Sequence, residues 1–168
     1  LANICAEKGA VMSHVSTDYV FGFDLNRPVR EDDHNEPINA YGKSKWEGEE
    51  AIQKELSEHI IIRTSWLYGL SGHNFPKTML RLAKDRNELK VIFDQVGNPT
   101  FADDLAEALN HICQSDLKNT YGTYHFSNEG VCSWYDFARE TLRKNHNHVA
   151  LEPVTSDQFP TAARRPHY

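Results

Sequence analysis

The sequence predicts an α/β fold in which helices alternate with the strands of a mainly parallel sheet. The first observation is the run "HIIIRTS", whose three consecutive isoleucines are typical of a strand buried on both faces. The second is "AVMSHVS", where β-branched and apolar residues alternate as they do in a strand. Amphipathic helical segments lie between such strands, which favours helices packed against a sheet.

The first third of the chain is predicted to contain two helices. "LANICAEK" is a short helix that ends at Gly9, and the strand "AVMSHVS" follows it. Residues 17–37 are rich in Asp, Asn, Pro and Gly, which predicts a loop. Asn39 is a favourable N-cap, so we expect a helix over residues 40–56.

The rest of the chain continues the alternation after "HIIIRTS". In order, we expect the helix "NFPKTMLRLAKDR", the strand "ELKVIFD", the helix "FADDLAEALNHICQS", the strand "GTYHFS" and the helix "SWYDFARETLRKN". Ser133 is the predicted cap of the last helix. The proline-containing tail from Val149 is predicted to be irregular.

Composition and charge limit the class of protein. The 168 residues suffice for one domain with a sizeable core, and 39% apolar with 25% charged residues is a globular composition. A net charge of -6 argues against non-specific nucleic-acid binding. No apolar run approaches the roughly 18 residues of a membrane span. Three widely spaced cysteines predict reduced thiols and a cytoplasmic location.

Tyr41 and Lys45 are the first candidate site residues. They are four residues apart in "NAYGKSKWEGEE" and therefore share one face of a helix. A free tyrosine has a pKa of about 10, and a nearby ammonium favours its phenolate. The tyrosine would then exchange a proton closer to neutral pH. A solvent-facing pair is the alternative for this pattern alone.

Polar residues also collect where the first predicted strand ends, at Ser16, Thr17 and Asp18. In open α/β sheets, ligands bind at the carboxyl edge of the strands. Thr17 would offer a hydroxyl to a reacting oxygen. A Ser/Thr turn that leaves a strand is the alternative explanation.

A strand-end hydroxyl, a loop and a helix bearing Y-x-x-x-K together resemble the extended short-chain dehydrogenase/reductase family. The similarity is closest to its dTDP-4-dehydrorhamnose reductases, and "RTSWLYG" and "DQVGNPT" are its most specific parts. It extends over nearly the whole chain through "STDYVF", "RPVREDD", "EPINAYGKSKWEGE", "NFPKTMLRLA", "GTYHFSNEG", "SWYDFA" and "AARRP".

The resemblance implies a reaction and its participants. The reaction is reduction of the 4-keto group of dTDP-4-dehydro-L-rhamnose by hydride from NADPH or NADH, the last step of dTDP-rhamnose synthesis for cell-surface polysaccharide. The implied partners are a nucleotide-sugar substrate and a second copy in a homodimer, with neither nucleic acid nor membrane. Some members bind magnesium at a dimer contact, but a solvated helix N-terminus explains Asp103 and Asp104 better, so no metal ligand is assigned.

The family pattern assigns roles to individual residues of this sequence. Tyr41 matches the general acid that protonates the sugar oxygen. Lys45 matches the residue that lowers the tyrosine pKa and binds the nicotinamide ribose, so both are implied cofactor contacts. Thr17 matches the hydroxyl that orients the carbonyl or a catalytic water, and Asp18 and Trp66 match substrate contacts.

Two of the substrate residues have alternatives. The Trp66 indole can cover a sugar or a base, and a core tryptophan is the alternative explanation. Arg164 in "AARRP" matches a position near the nucleotide sugar, where a guanidinium suits a pyrophosphate. Its neighbour Arg165 is the alternative.

The resemblance also implies two domains and a missing part. Residues 1–68 would be the carboxyl-terminal part of a Rossmann-type, doubly wound parallel sheet that carries the Tyr/Lys pair. Residues 69–168 would mostly form a small α/β substrate-binding lobe, with segments that return to that sheet. The Gly-rich turn that holds a dinucleotide pyrophosphate is missing, and the chain starts at Leu1. We therefore expect a fragment that is inactive alone.

Two other functions stay open at this point. One is a different sugar-nucleotide epimerase or dehydratase of the same superfamily, which "RTSWLYG" and "DQVGNPT" make less favourable. The other is a non-catalytic regulatory subunit that resembles that of methionine adenosyltransferase. Relatives of that subunit tend to lack the tryptophan found here as Trp66.

Overall fold

The computed structural model describes residues 1–22, 27–116, 120–159, 163 and 165. Its helices are α1 (Ala2–Lys8), α2 (Ala40–Glu55), α3 (Phe75–Asp85), α4 (Ala102–Gln114) and α5 (Trp134–Lys144). Its strands are β1 (Met12–Thr17), β2 (His59–Thr64), β3 (Leu67–Tyr68), β4 (Glu88–Ile92), β5 (Val96–Gly97), β6 (Thr100–Phe101), β7 (Gly122–His125), β8 (Cys132–Ser133) and β9 (Ala150–Val154). The predicted α/β class is confirmed.

The main sheet is parallel and has the order β1-β2-β7. All six residues of β2 are buried, as the isoleucine run predicted. Ile60 and Ile62 pack with Leu105 of α4 on one face. On the other face, Arg63 binds Glu49 of α2. The sheet thus lies between two helices, and the carboxyl ends of β1 and β2 meet at one edge, where Thr17 pairs with Thr64.

A second cluster forms where α3 and α5 pack on the parallel pair β4-β9. Its buried residues are Met79, Leu89, Val91 and Ala138. The prediction of an irregular tail from Val149 is wrong, because Ala150–Val154 pairs with β4 along its whole length. In the described chain β9 pairs only with β4, and an edge strand tolerates Pro153 because the missing N–H need not join a ladder.

Local capping signals located the helix ends well. The Asn39 side chain accepts a hydrogen bond from the Gly42 amide at 2.7 Å, so α2 begins where predicted. Ser133 and Asp136 form a capping box at the start of α5. Gly9 ends α1 in the left-handed conformation, with φ of 60°. The two-residue strands β3, β5, β6 and β8 were not predicted.

Candidate active site

The segment that follows β1 is anchored by buried apolar side chains. Val20 and Phe21 are almost fully buried, and residues Asp18–Val20 form a 3₁₀ turn. Thr17 caps this turn, because its hydroxyl accepts from the Tyr19 amide at 3.3 Å and donates to the Asp18 carboxylate at 3.0 Å. The first strand therefore delivers Thr17 and Asp18 in a fixed orientation.

A glycine brings α2 against this turn. A Cβ on Gly42 would lie 2.0 Å from the Tyr19 carbonyl oxygen, so the first turn of α2 approaches as closely as it does only because residue 42 has no side chain. The neighbouring Tyr41 ring meets the Tyr19 ring edge to face, with centroids 5.7 Å apart. Tyr41 is 55% exposed, so its ring is open to a ligand.

A buried polar network holds α2 on the sheet. The Glu49 carboxylate accepts from Arg63 Nη2 at 2.7 Å and also from the Ser16 hydroxyl. The Arg63 guanidinium donates in addition to the Glu31 carbonyl at 3.1 Å. This network was not predicted from the sequence, although an arginine within an isoleucine strand and a glutamate four residues after Lys45 were visible signals.

Lys45 lies on the same face of α2 as Tyr41, as predicted from the four-residue spacing. Its ammonium donates to the Val15 carbonyl oxygen at 2.7 Å, and it lies 3.3 Å from Nε2 of His14. The Lys45 side chain is thus directed across the helix onto the end of β1 rather than into solvent, which argues against a merely solvent-facing pair.

Trp66 is partly buried and has an unusual backbone. Its φ of 45° lies in the left-handed region, which is uncommon for a residue with a large side chain. Its ring stacks on Trp134 with centroids 3.5 Å apart and planes 9° apart. A Cβ at Gly97 would come within 2.7 Å of the indole. Trp134 was not identified from the sequence, because only the fold brings the two indoles together.

A cavity of about 320 Å³ brings most of the predicted residues together. Its lining includes Thr17, Asp18, Tyr41, Lys45, Trp66, Trp134 and Arg165. Arg164 lies outside the described residues, whereas its predicted alternative Arg165 lines the cavity. A second cavity of about 370 Å³ shares Asp18, Thr64 and Ser65 with the first. The two cavities are therefore neighbours in a cleft at the carboxyl edge of the sheet.

Burial changes the acidity of two groups in the cleft. Burial raises the pKa of Asp18 to about 6, although the hydrogen bond from Thr17 partly opposes it. Burial also raises the pKa of the Tyr19 phenol, which the nearby Arg165 guanidinium partly offsets. The Tyr19 phenol is therefore neutral at physiological pH. Asp18 changes charge near pH 6, which is just below physiological pH.

The described residues contain neither a candidate metal cluster nor a candidate membrane-spanning helix. In the described residues there is no group of three or more His, Cys, Asp or Glu side chains that could hold a metal ion. Asp104 lies in the first turn of α4, where it accepts a hydrogen bond from Asn128. Across the described ranges, no helix is long and apolar enough to cross a bilayer.

Three comparisons relate the chain to known proteins. A model of the RmlD substrate binding domain family matches residues 1–168. The spore coat polysaccharide biosynthesis protein SpsK of Bacillus subtilis is 44% identical over 160 residues, which are 95% of this chain and 55% of that protein. The dTDP-4-dehydrorhamnose reductase of Escherichia coli K12 is 44% identical over 175 residues, which are 99% of this chain and 58% of that enzyme.

The chain is also similar to solved structures of dTDP-4-dehydrorhamnose reductases. A dTDP-4-dehydrorhamnose reductase from Clostridium acetobutylicum superimposes with a TM-score of 0.94 at 43% identity, over 100% of this chain and 59% of the other. The Bacillus anthracis reductase in complex with NADP gives a TM-score of 0.92 at 42% identity, over 99% and 58%. The chain thus spans a little over half the length of these relatives.

Proposed function

Because the chain belongs to the RmlD substrate binding domain family, we propose that its protein reduces the 4-keto group of dTDP-4-dehydro-L-rhamnose. The hydride donor is NADPH, with NADH as the alternative. The reductase names of the E. coli and C. acetobutylicum relatives support the reaction. The NADP complex of the B. anthracis relative supports the cofactor.

The observation that carries this proposal is the convergence of Thr17, Tyr41 and Lys45 on one cavity. They come from the end of β1 and from the first turns of α2, which Gly42 brings into contact. A strand-end hydroxyl, a phenol and an ammonium are the groups needed to bind a carbonyl oxygen and deliver a proton to it.

The residues of this chain fit the ribose end of a nicotinamide cofactor. An ammonium has three N–H donors, and the neighbouring Val15 carbonyl and His14 ring nitrogen account for two of them. The third N–H of Lys45 would bind a ribose hydroxyl. When bound, the cofactor supplies the hydride that reduces the sugar carbon.

Tyr41 then delivers the proton. Its hydroxyl donates to the sugar oxygen as negative charge develops there, and the ammonium of Lys45 stabilises the resulting phenolate. Thr17 orients the carbonyl through its hydroxyl: the Tyr19 amide holds the hydroxyl oxygen in place, and the single hydroxyl proton turns from the Asp18 carboxylate to the substrate oxygen. General acid catalysis of this kind contributes typically about 10²–10⁴-fold to a rate.

The walls of the cleft bind the nucleotide sugar. The Trp66 face, held by its stack on Trp134, covers an apolar ring face of the substrate. Asp18 accepts hydrogen bonds from sugar hydroxyls. Arg165, or Arg164 in its place, binds the pyrophosphate, because a guanidinium pairs with two anionic oxygens at once.

The organisation of the whole protein follows from the same proposal. Residues 1–68 complete a cofactor-binding domain, and residues 69–168 form most of the substrate-binding lobe. We place the enzyme in the cytoplasm, as a homodimer that acts without nucleic acid or membrane.

The test is turnover of dTDP-4-dehydro-L-rhamnose by the full-length protein, followed by loss of NADPH absorbance and by identification of the product. We expect stoichiometric NADPH oxidation and dTDP-L-rhamnose. Conversion of a nucleotide sugar without net NADPH consumption would indicate an epimerase or dehydratase instead. NADPH binding without any turnover would favour the non-catalytic subunit.

A further inference from the structure

His14 is a polar residue close to Lys45 that the proposed mechanism does not use. It lies on β1 two residues before Ser16, so both side chains share one face of the strand. That face meets α2, where His14 contacts Lys45 and Ser16 contacts Glu49. The strand therefore supports the catalytic helix through two polar side chains.

The chemistry of the contact fixes the state of the imidazole. An ammonium only donates hydrogen bonds, so Nε2 of His14 must present its lone pair to Lys45, and the ring proton must lie on Nδ1. A protonated imidazole has no acceptor and would repel the ammonium. The contact requires a neutral His14.

We propose that His14 is a positioning residue for Lys45. Together with the Val15 carbonyl oxygen, it occupies two of the three N–H donors, which leaves the third for a ligand in the cavity that Lys45 and Tyr41 both line. Without His14, the ammonium would rotate about its flexible stem, and its charge would no longer keep one position in the cavity. The catalytic part of this proposal rests on the proposed reductase function.

The surroundings of His14 favour its neutral form. Burial and the charge of Lys45 lower the pKa of His14, and the carboxylate of Glu49 opposes them more weakly. Both charged groups lie on α2, and the ladder partner of His14 on β2 is the uncharged Ile61. His14 is therefore neutral at pH 7 and becomes charged only on acidification.

A pH dependence follows from this arrangement. As the pH falls through the lowered pKa of His14, the imidazolium forms and Lys45 loses one of its two acceptors. We expect kcat/KM to fall on the acid side with an apparent pKa below the ordinary histidine value of about 6.5. Only the neutral form of His14 therefore holds the Lys45 ammonium.

The first experiment does not depend on turnover. In the full-length protein with isotope-labelled histidine, NMR should find His14 as the Nδ1–H tautomer, with a pKa below about 6.5. Lys45→Met removes a neighbouring cation and should raise that pKa. An Nε2–H tautomer, or a His14 pKa that Lys45→Met leaves unchanged, would overturn the contact and with it the proposal.

The second experiment uses a matched pair of variants. Both profiles are measured in an Asp18→Asn background, because Asp18 also changes charge near pH 6. There His14→Gln, which keeps an acceptor but cannot titrate, should keep kcat within about threefold and lose the acid limb of the profile. His14→Phe keeps a ring but no acceptor, and should lower kcat about tenfold, as expected for one hydrogen bond to a charged group. Equal losses in the two variants would mean that His14 only fills space.

The two experiments separate the two proposals. If the NMR results are as expected and the wild-type protein does not reduce the keto sugar, the reductase function fails and the support of Lys45 by His14 stands. If the wild type is an active reductase and the acid limb of Asp18→Asn persists unchanged when His14→Gln is added, the His14 proposal fails alone.

Discussion

The two packed regions of the molecule have different interiors. Around β1, β2 and α2, the core includes a fully buried Glu49 and an Arg63 that is only 4% exposed. Around α3, α5, β4 and β9, the buried cluster consists of Met79, Leu89, Val91 and Ala138, all without charge. A buried ion pair adds little net stability but leaves a large penalty if one partner is lost.

The buried charges lie beside the residues that carry the proposed chemistry. The charged network joins α2, which carries Tyr41 and Lys45, to the end of β1, which carries Thr17. Apolar packing is non-directional and tolerates small shifts, whereas hydrogen-bonded charges accept one arrangement. We infer that the charged network of the first region fixes the orientation of α2 and adds little net stability. The apolar cluster of the second region mainly stabilises the fold.

The largest expected effect comes from Tyr41→Phe in the full-length protein. The substitution removes the proposed acid and keeps the ring, so kcat should fall by about 10²–10⁴-fold. Since Tyr41 is 55% exposed, the melting temperature should hardly change. Steady-state kinetics and a thermal scan measure the two effects, and wild-type kcat would remove Tyr41 from the mechanism.

The next effect tests the charged core itself. Glu49→Leu leaves Arg63 buried without its carboxylate and should lower the free energy of unfolding by about 3–5 kcal/mol. The double variant Glu49→Leu/Arg63→Leu should recover most of that stability, because no unpaired charge remains. Its kcat should nevertheless stay low, because α2 has lost its fixed orientation. Denaturant unfolding and kinetics measure both quantities.

Met79→Ala, in the apolar cluster of the second region, is the control for the Glu49 and Arg63 variants. It should cost about 2–5 kcal/mol by leaving a cavity, with kcat unchanged at temperatures where the protein stays folded. A double Leu variant as active as the wild type would show that the charged core does not orient α2.

A smaller effect separates two glycines of α2. Gly42→Ala places a Cβ against the Tyr19 carbonyl oxygen and should destabilise the protein by about 1–3 kcal/mol. Gly48→Ala is the matched control, because a Cβ there meets nothing within 4 Å. It should stabilise the helix by about 0.5–1 kcal/mol. Thermal unfolding checks the opposite signs, and a neutral Gly42→Ala would contradict the close approach of α2 to the turn.

The last effect is the pH dependence of stability due to Asp18. Its pKa is raised to about 6 by burial, so the folded state favours the protonated form. The resulting contribution to stability is fully present below the unfolded pKa of 3.8 and is lost as the pH rises through about 6.

Asp18→Asn should therefore be more stable than the wild type by about 3 kcal/mol at pH 8 and within about 1 kcal/mol of it at pH 4. The melting temperatures of both proteins across this pH range measure the difference. A constant difference at all pH values would show that Asp18 has no raised pKa.

The sequence by itself determined the elements that depend on neighbouring residues. The isoleucines of β2 indicated a strand covered on both faces, and Asn39 and Ser133 located the starts of α2 and α5. The spacing of Tyr41 and Lys45 was enough to place both on one face of a helix. These signals are local, because helix and strand periods and caps act within a few residues.

Only the tertiary structure decided the features that join distant parts of the chain. Pro153 became part of a strand because β4, about sixty residues earlier, offered an edge on which its missing N–H costs nothing. The fold also brings together three pairs of side chains that are distant in sequence: Trp66 with Trp134, Arg63 with Glu49, and Lys45 with His14. Such pairs leave no period in the sequence, since their energy depends on packing and burial that exist only after the sheet has formed.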